Sequence, residues 1–151
     1  MSLDDWSKYL PLLLVVAGWA VVNHQNNRRE TRKEMRALLD STKKATVEVA
    51  RLAVAYYCDA EAEAAHEIKW SLQALEIELE RLPGFDQRSR LLKKFVEFSE
   101  AATGGDFESA DRPKRTRAAP EIASIQRTRN LLIAELELQF KKQEAVPVRA
   151  D

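Results

Sequence analysis

The chain has 151 residues, and its 24 Lys and Arg are balanced by 24 Asp and Glu, so no bulk charge argues for nucleic acid or an acidic substrate. Four Gly and five Pro are too few turn formers for a sandwich or barrel of many short strands, whereas Ala, Glu, Lys, Leu and Arg supply roughly half the residues, the composition of long helices. The single cysteine, Cys58, excludes an intramolecular disulfide and suits a reducing compartment.

After a short tail over residues 1–8, the first element is an apolar run. Tyr9 to Val22 carries no charge. Its 14 positions rise about 21 Å, short of a hydrocarbon core of about 30 Å. Extending from Trp6 to His24 gives about 28 Å if Lys8 snorkels. Pro11 falls in the first turn, where its missing N–H costs least, and Trp6, Tyr9 and Trp19 suit interfacial depths. A cleavable signal would need a basic start and a small-residue cleavage site; here Asp4 and Asp5 come first and no A-x-A stretch follows. A core helix of a soluble protein would show polar positions every turn, and this run shows none. The expectation is a single transmembrane helix over residues 9–24, carried by Tyr9, Leu10, Leu12, Leu13, Leu14, Val15, Val16, Trp19, Val21 and Val22. A helix lying in the interface is its variant.

Arg28, Arg29, Arg32, Lys33 and Arg36 follow within a few turns, whereas Lys8 is the only base before the run. Positive charge stays on the cytoplasmic side, so the N-terminus is expected outside and the C-terminal bulk inside. The same five side chains can contact anionic lipid headgroups, at about 1 kcal/mol per charge near the surface.

No Gly or Pro occurs from Trp19 to Leu82, which predicts one long helix with a juxtamembrane stalk over residues 25–60. Met35, Leu38, Thr42, Ala45, Val49, Leu52 and Tyr56 alternate steps of three and four. Ile68, Leu72, Leu75, Leu79 and Leu82 do the same with more apolar residues. The two stripes do not share a heptad frame, and the slip falls in "DAEAEAAHE". The first stripe is too weak to assure a dimeric coiled coil.

"RLPGFD" breaks the helix. Asp86 can cap a helix running to about Ala102, with Leu91, Phe95, Phe98 and Ala102 on one face. "TGGDFESADRPKRTRAAP" reads as a long loop over residues 103–119. Pro120 suits the first position of a last helix and Glu121 its positive end. That helix runs to about Lys142, with Ile122, Ile125, Leu132, Leu136 and Phe140 inward, and residues 143–151 read as a frayed tail. The fold expected is all-α: a transmembrane helix continuing into a stalk, then a bundle of about three helices over residues 61–142.

Catalytic chemistry finds little footing. Glu63 and His66 form a Glu-x-x-His pair, half of a di-iron ligand set, but the only other histidine is His24 at the membrane edge; an ordinary surface histidine is the plainer reading. Cys58 has acids beside it, which disfavour a thiolate. No Gly-rich phosphate loop or paired-Cys zinc motif is present. The bases of Arg112–Arg117 read as a solvated loop offset by the acids of "DFESAD", so nucleic acid is not an expected partner. Tyr57 and Trp70 fall off the main stripes and suggest a second contact face; burial under the distal bundle explains Trp70 equally well.

These readings converge on a membrane-anchored interaction or regulatory subunit, acting through a homo-oligomer or a larger membrane complex. No catalysis, cofactor, metal or small-molecule substrate is expected. The order of parts resembles that of many small bacterial inner-membrane proteins. It is also similar, in size and in having an anchor before helical coiled coil, to phage spanin subunits, which would imply a periplasmic lysis protein of reverse topology. The bases after the run argue against that orientation. A metal-binding helical protein resting on Glu63 and His66 is the remaining alternative.

Overall fold

The computed structural model describes residues 3–59, 64–82, 90–109 and 111–145, with side chains described for 14–59, 65–82, 90–109 and 111–142. The described residues form four helices and no strand: α1 Leu3–Asp59, α2 Ala64–Glu80, α3 Arg90–Thr103 and α4 Pro120–Ala145. The chain divides into two compact units, Met1–Ala37 and Leu38–Asp151.

In the first unit, α1 carries the apolar run. Leu14, Val15, Val16, Trp19, Val21 and Val22 are all exposed. Among the described residues no helix is long and apolar enough to cross a membrane. The side chains of Tyr9, Leu10, Leu12 and Leu13, which begin the predicted span, lie outside the described residues, as do Pro83, Gly84 and Asp86 of the predicted breaker and cap.

The second unit takes in the rest of α1, so the larger part of the predicted stalk, from Leu38 on, shares a compact unit with the later helices. Leu39, Thr42, Thr46, Val49, Ala53 and Tyr56 are each at most 2% exposed, and their steps of three and four make one helix face. Leu38 and Ala45 are only half-buried, so this face is turned slightly from the stripe read in the sequence. Its hydroxyls are satisfied within the helix: Thr42 Oγ1 donates to the Leu38 carbonyl at 2.9 Å and Thr46 Oγ1 to the Thr42 carbonyl at 2.8 Å. Burial without an orphaned donor removes most of the desolvation penalty. A stripe of Thr and Ala that reads as weakly apolar therefore serves as core, and four helices contribute buried residues where about three were expected.

The other three helices bury the residues their apolar spacing selects, except Phe140 of α4, which is only half-buried. Ile68, Leu72, Leu75 and Leu79 are buried on α2; Leu91, Phe95, Phe98 and Ala102 on α3; Ile122, Ile125, Leu132 and Leu136 on α4. Fully burying one such side chain stabilises by roughly 1.5–3 kcal/mol. Leu82, also buried, follows α2 and donates its N–H to the Leu79 carbonyl at 3.0 Å. α3 packs on α4 and meets α2. A part-buried ion pair joins Lys43 of α1 to Glu137 of α4, with Asp40 3.6 Å from the same ammonium.

Two glycines end α3. A Cβ on Gly104 would stand 2.5 Å from the Glu100 carbonyl oxygen, and Gly105 has φ +63°, the left-handed conformation that stops a helix at lowest cost in glycine. This turn sends the chain into the loop that leads to α4.

Candidate functional site

The loop is strapped onto the C-terminal end of α1. Tyr56 and Tyr57 lie there, 2% and 3% exposed, with ring centroids 5.5 Å apart edge to face. Phe107 of the loop packs on Tyr56 at 5.0 Å. The Arg112 guanidinium carbon sits 3.5 Å from the Tyr56 ring centroid, where the ring's negative face attracts a cation. The Tyr56 hydroxyl accepts the Glu108 N–H at 3.0 Å, and the Tyr57 hydroxyl donates to the Gly104 carbonyl at 2.7 Å.

Arg115 ties the strap at a second point. Its N–H donates to the Tyr57 carbonyl at 2.8 Å, one of the acceptors a helix leaves unpaired at its end. Its guanidinium meets Asp106 at 2.6 Å and Glu121 at 3.3 Å, so the loop and the first turn of α4 share one cation. Lys69 of α2 pairs with Glu108 at 2.6 Å and lies 5.9 Å from the Phe107 ring centroid. Glu108 itself has φ 67°, which costs a side-chain-bearing residue roughly 1–2 kcal/mol. The hydrogen bond to Tyr56 and the ion pair to Lys69 hold it there. Burial raises the Tyr57 hydroxyl pKa above its ordinary value, and neighbouring Tyr56 and Asp106 add to the rise while Arg112 and Arg115 oppose it.

The basic loop is thus only partly solvated, a correction to its sequence reading. Arg112 and Arg115 are half-buried and engaged, whereas Lys114 and Arg117 are exposed. Pairing within the loop and onto Tyr56 leaves half of the apparent basic patch facing water. Arg112 Nε and Arg115 Nε are buried with no hydrogen-bond partner among the described residues, which reduces what the clasp contributes.

A different surface lies on the far side of α2. Trp70 is 72% exposed and Ile77 52%. At 100° per residue they lie opposite Ile68, Leu72, Leu75 and Leu79. His66, Glu67, Trp70, Ser71 and Ala74 line an open recess of ≈ 530 Å³ along this face. Because all five come from one helix, it is a surface and not a chamber that could exclude water from a reaction.

The remaining predicted residues fall as follows. Arg28, Arg29, Arg32, Lys33 and Arg36 are exposed, with Lys33 3.2 Å from Glu30. His66 is exposed, Glu63 lies outside the described residues, and Cys58 is half-buried. Among the described residues no group of three or more His, Cys, Asp or Glu could hold a metal ion. Phe107, Asp106 and Ile77 were missed in the sequence; the one hint for the first two was acids and bases packed into a single loop, which can pair with one another. No protein-family model, no curated protein and no solved structure matches this chain.

Proposed function

We propose that the protein is a membrane-anchored helical subunit, held by the first part of α1, that works through protein–protein contacts and has no catalysis of its own. The observation that carries this reading is the exposure of Leu14, Val15, Val16, Trp19, Val21 and Val22, each between 55% and 69%. At 100° per residue these six positions cover about 220° of the circumference, wider than one face, and Ala17 and Ala20 fill the rest. A helix lying in the interface keeps a polar face toward water, so apolar residues on all sides favour immersion in lipid over a surface pose. Exposed apolar area costs roughly 25 cal/mol per Å² in water, and a bilayer removes that cost.

The apolar run continues in the sequence back to Tyr9, and the exposed bases from Arg28 to Arg36 follow it. That order orients the anchor with its N-terminus outside and Leu38–Asp151 cytoplasmic. A pair of reporters fused after Asp151 tests this orientation. A reporter that works only in the cytoplasm should be active, and one that works only after export should be silent. The opposite pattern would overturn the orientation and restore the spanin-like topology.

A further inference from the structure

Arg28, Arg29, Arg32, Lys33 and Arg36 follow the apolar run on one unbroken helix, α1, and all five are exposed. At 100° per residue they occupy an arc of about 140°. The two acids of the same stretch, Glu30 and Glu34, are also exposed and lie outside that arc, so the bases make a face of one sign. The five are not equivalent. Lys33 is held by Glu30 at 3.2 Å, whereas Arg28 and Arg29 form no ion pair among the described residues.

Height above the anchor separates them further. At 1.5 Å per residue, Arg28 and Arg29 stand about 9 and 10.5 Å beyond Val22, and Arg36 stands about 21 Å beyond it. A tilt of about 20° shortens these heights by less than a tenth. Long side chains lean back over the preceding helical turn, here toward the anchor, which lowers each charge by up to about 5 Å. The headgroup layer outside the hydrocarbon is about 5–7.5 Å deep. Arg28 and Arg29 reach that layer, and Arg36 stays roughly a Debye length above it.

We infer that Arg28 and Arg29 bind the phosphates of anionic phospholipids around the anchor, and that Arg36 contributes little. A guanidinium meets a phosphate through two parallel N–H donors. A zwitterionic headgroup carries its own cation beside the phosphate, so a headgroup of net negative charge is favoured. Arg32, about 15 Å beyond Val22, adds to the attracting field without entering the layer. Apolar attachment does not choose among lipids; these two arginines do. The inference rests on the reading of α1 as an anchor and names the lipid class that its cytoplasmic end selects. An acidic protein partner could engage the basic face at any height, so a dependence that falls with distance from Val22 belongs to lipid.

Lipid selectivity of the full chain tests it. The protein is reconstituted into phosphatidylcholine vesicles holding a trace of spin-labelled phosphatidylglycerol or of spin-labelled phosphatidylcholine, and the motionally restricted fraction of each label is compared. At low salt the anionic label should be favoured several-fold, and high salt should reduce that preference. Arg28→Gln with Arg29→Gln should bring the ratio close to one, while Arg36→Gln should leave it nearly unchanged. No preference in the native chain, an undiminished preference in the double variant, or an equal loss with Arg36→Gln would each overturn the inference. Flotation of the same vesicles after a high-salt wash reports the anchor separately. Protein that floats without preferring the anionic label rejects the headgroup contact and leaves the anchor standing; protein that fails to float rejects both.

Discussion

Replacing Arg112 by Ala tests whether the long loop is bound or free. The guanidinium carbon lies 3.5 Å from the centroid of a Tyr56 ring that is 2% exposed. Cation–π contacts run from roughly 0.5–1 kcal/mol at exposed sites to about 2 when desolvated. Arg112 is half-buried, and its Nε is buried without a partner, which offsets part of the gain. A net loss of about 1 kcal/mol follows for Arg112→Ala. Tyr56→Phe removes the hydrogen bond from the Glu108 N–H and should cost about 0.5–1.5 kcal/mol. Arg117→Ala, at an exposed position, should stay within about 0.5 kcal/mol. Urea unfolding of a chain lacking residues 1–27, followed by far-ultraviolet circular dichroism, can resolve these differences through the midpoint. Limited trypsin digestion adds a local readout, since a released strap is cut sooner at its basic residues. If Arg112→Ala melts and digests like Arg117→Ala, the clasp does not form and the loop is solvated throughout.

Truncating Leu75 or Leu132, both 0% exposed, to Ala should each cost about 2–5 kcal/mol, while Trp70→Ala on the outer face of α2 should stay within about 0.5 kcal/mol; equal melts for all three would dissolve the distinction between core and outer face. The folded protein binds the Tyr57 proton more tightly than the unfolded chain does, because burial raises that hydroxyl's pKa. Its contribution is complete below the unfolded value of about 10 and is lost as pH rises through the higher folded value. Urea midpoints should therefore fall as pH rises above about 10, and Tyr57→Phe should flatten that fall; an unchanged slope in the variant would assign the alkaline loss to other groups.

Local pattern was enough to read the later helices. Ile68 to Leu79 on α2 and Leu91 to Ala102 on α3 bury large apolar residues at steps of three and four, and periodicity registers that directly. Pro120 at the first position of α4 is a signal of the same short range. Two other features escaped for physical reasons. The inward face of α1 is built from Thr42, Thr46, Ala50 and Ala53, whose fit depends on internally bonded hydroxyls and small size, so hydrophobicity undervalues it. The clasp joins Tyr56 to Glu108 and Tyr57 to Gly104, pairs 52 and 47 residues apart, and no short window of sequence contains both ends. Trp70 was visible as an off-stripe aromatic, but only the burial of Ile68, Leu72 and Leu75 around it shows which way it faces.

Alkaline carbonate extraction of membranes containing the full chain, beside a variant lacking residues 1–27, tests the proposed anchor most directly. Attachment through Leu14, Val15, Val16, Trp19, Val21 and Val22 is apolar and insensitive to ionic strength, whereas attachment through Arg28 to Arg36 alone is screened by salt. The account predicts that the full chain stays in the membrane pellet after both carbonate and high salt and that the shortened chain is found in the supernatant. Release of the full chain by either wash would contradict it.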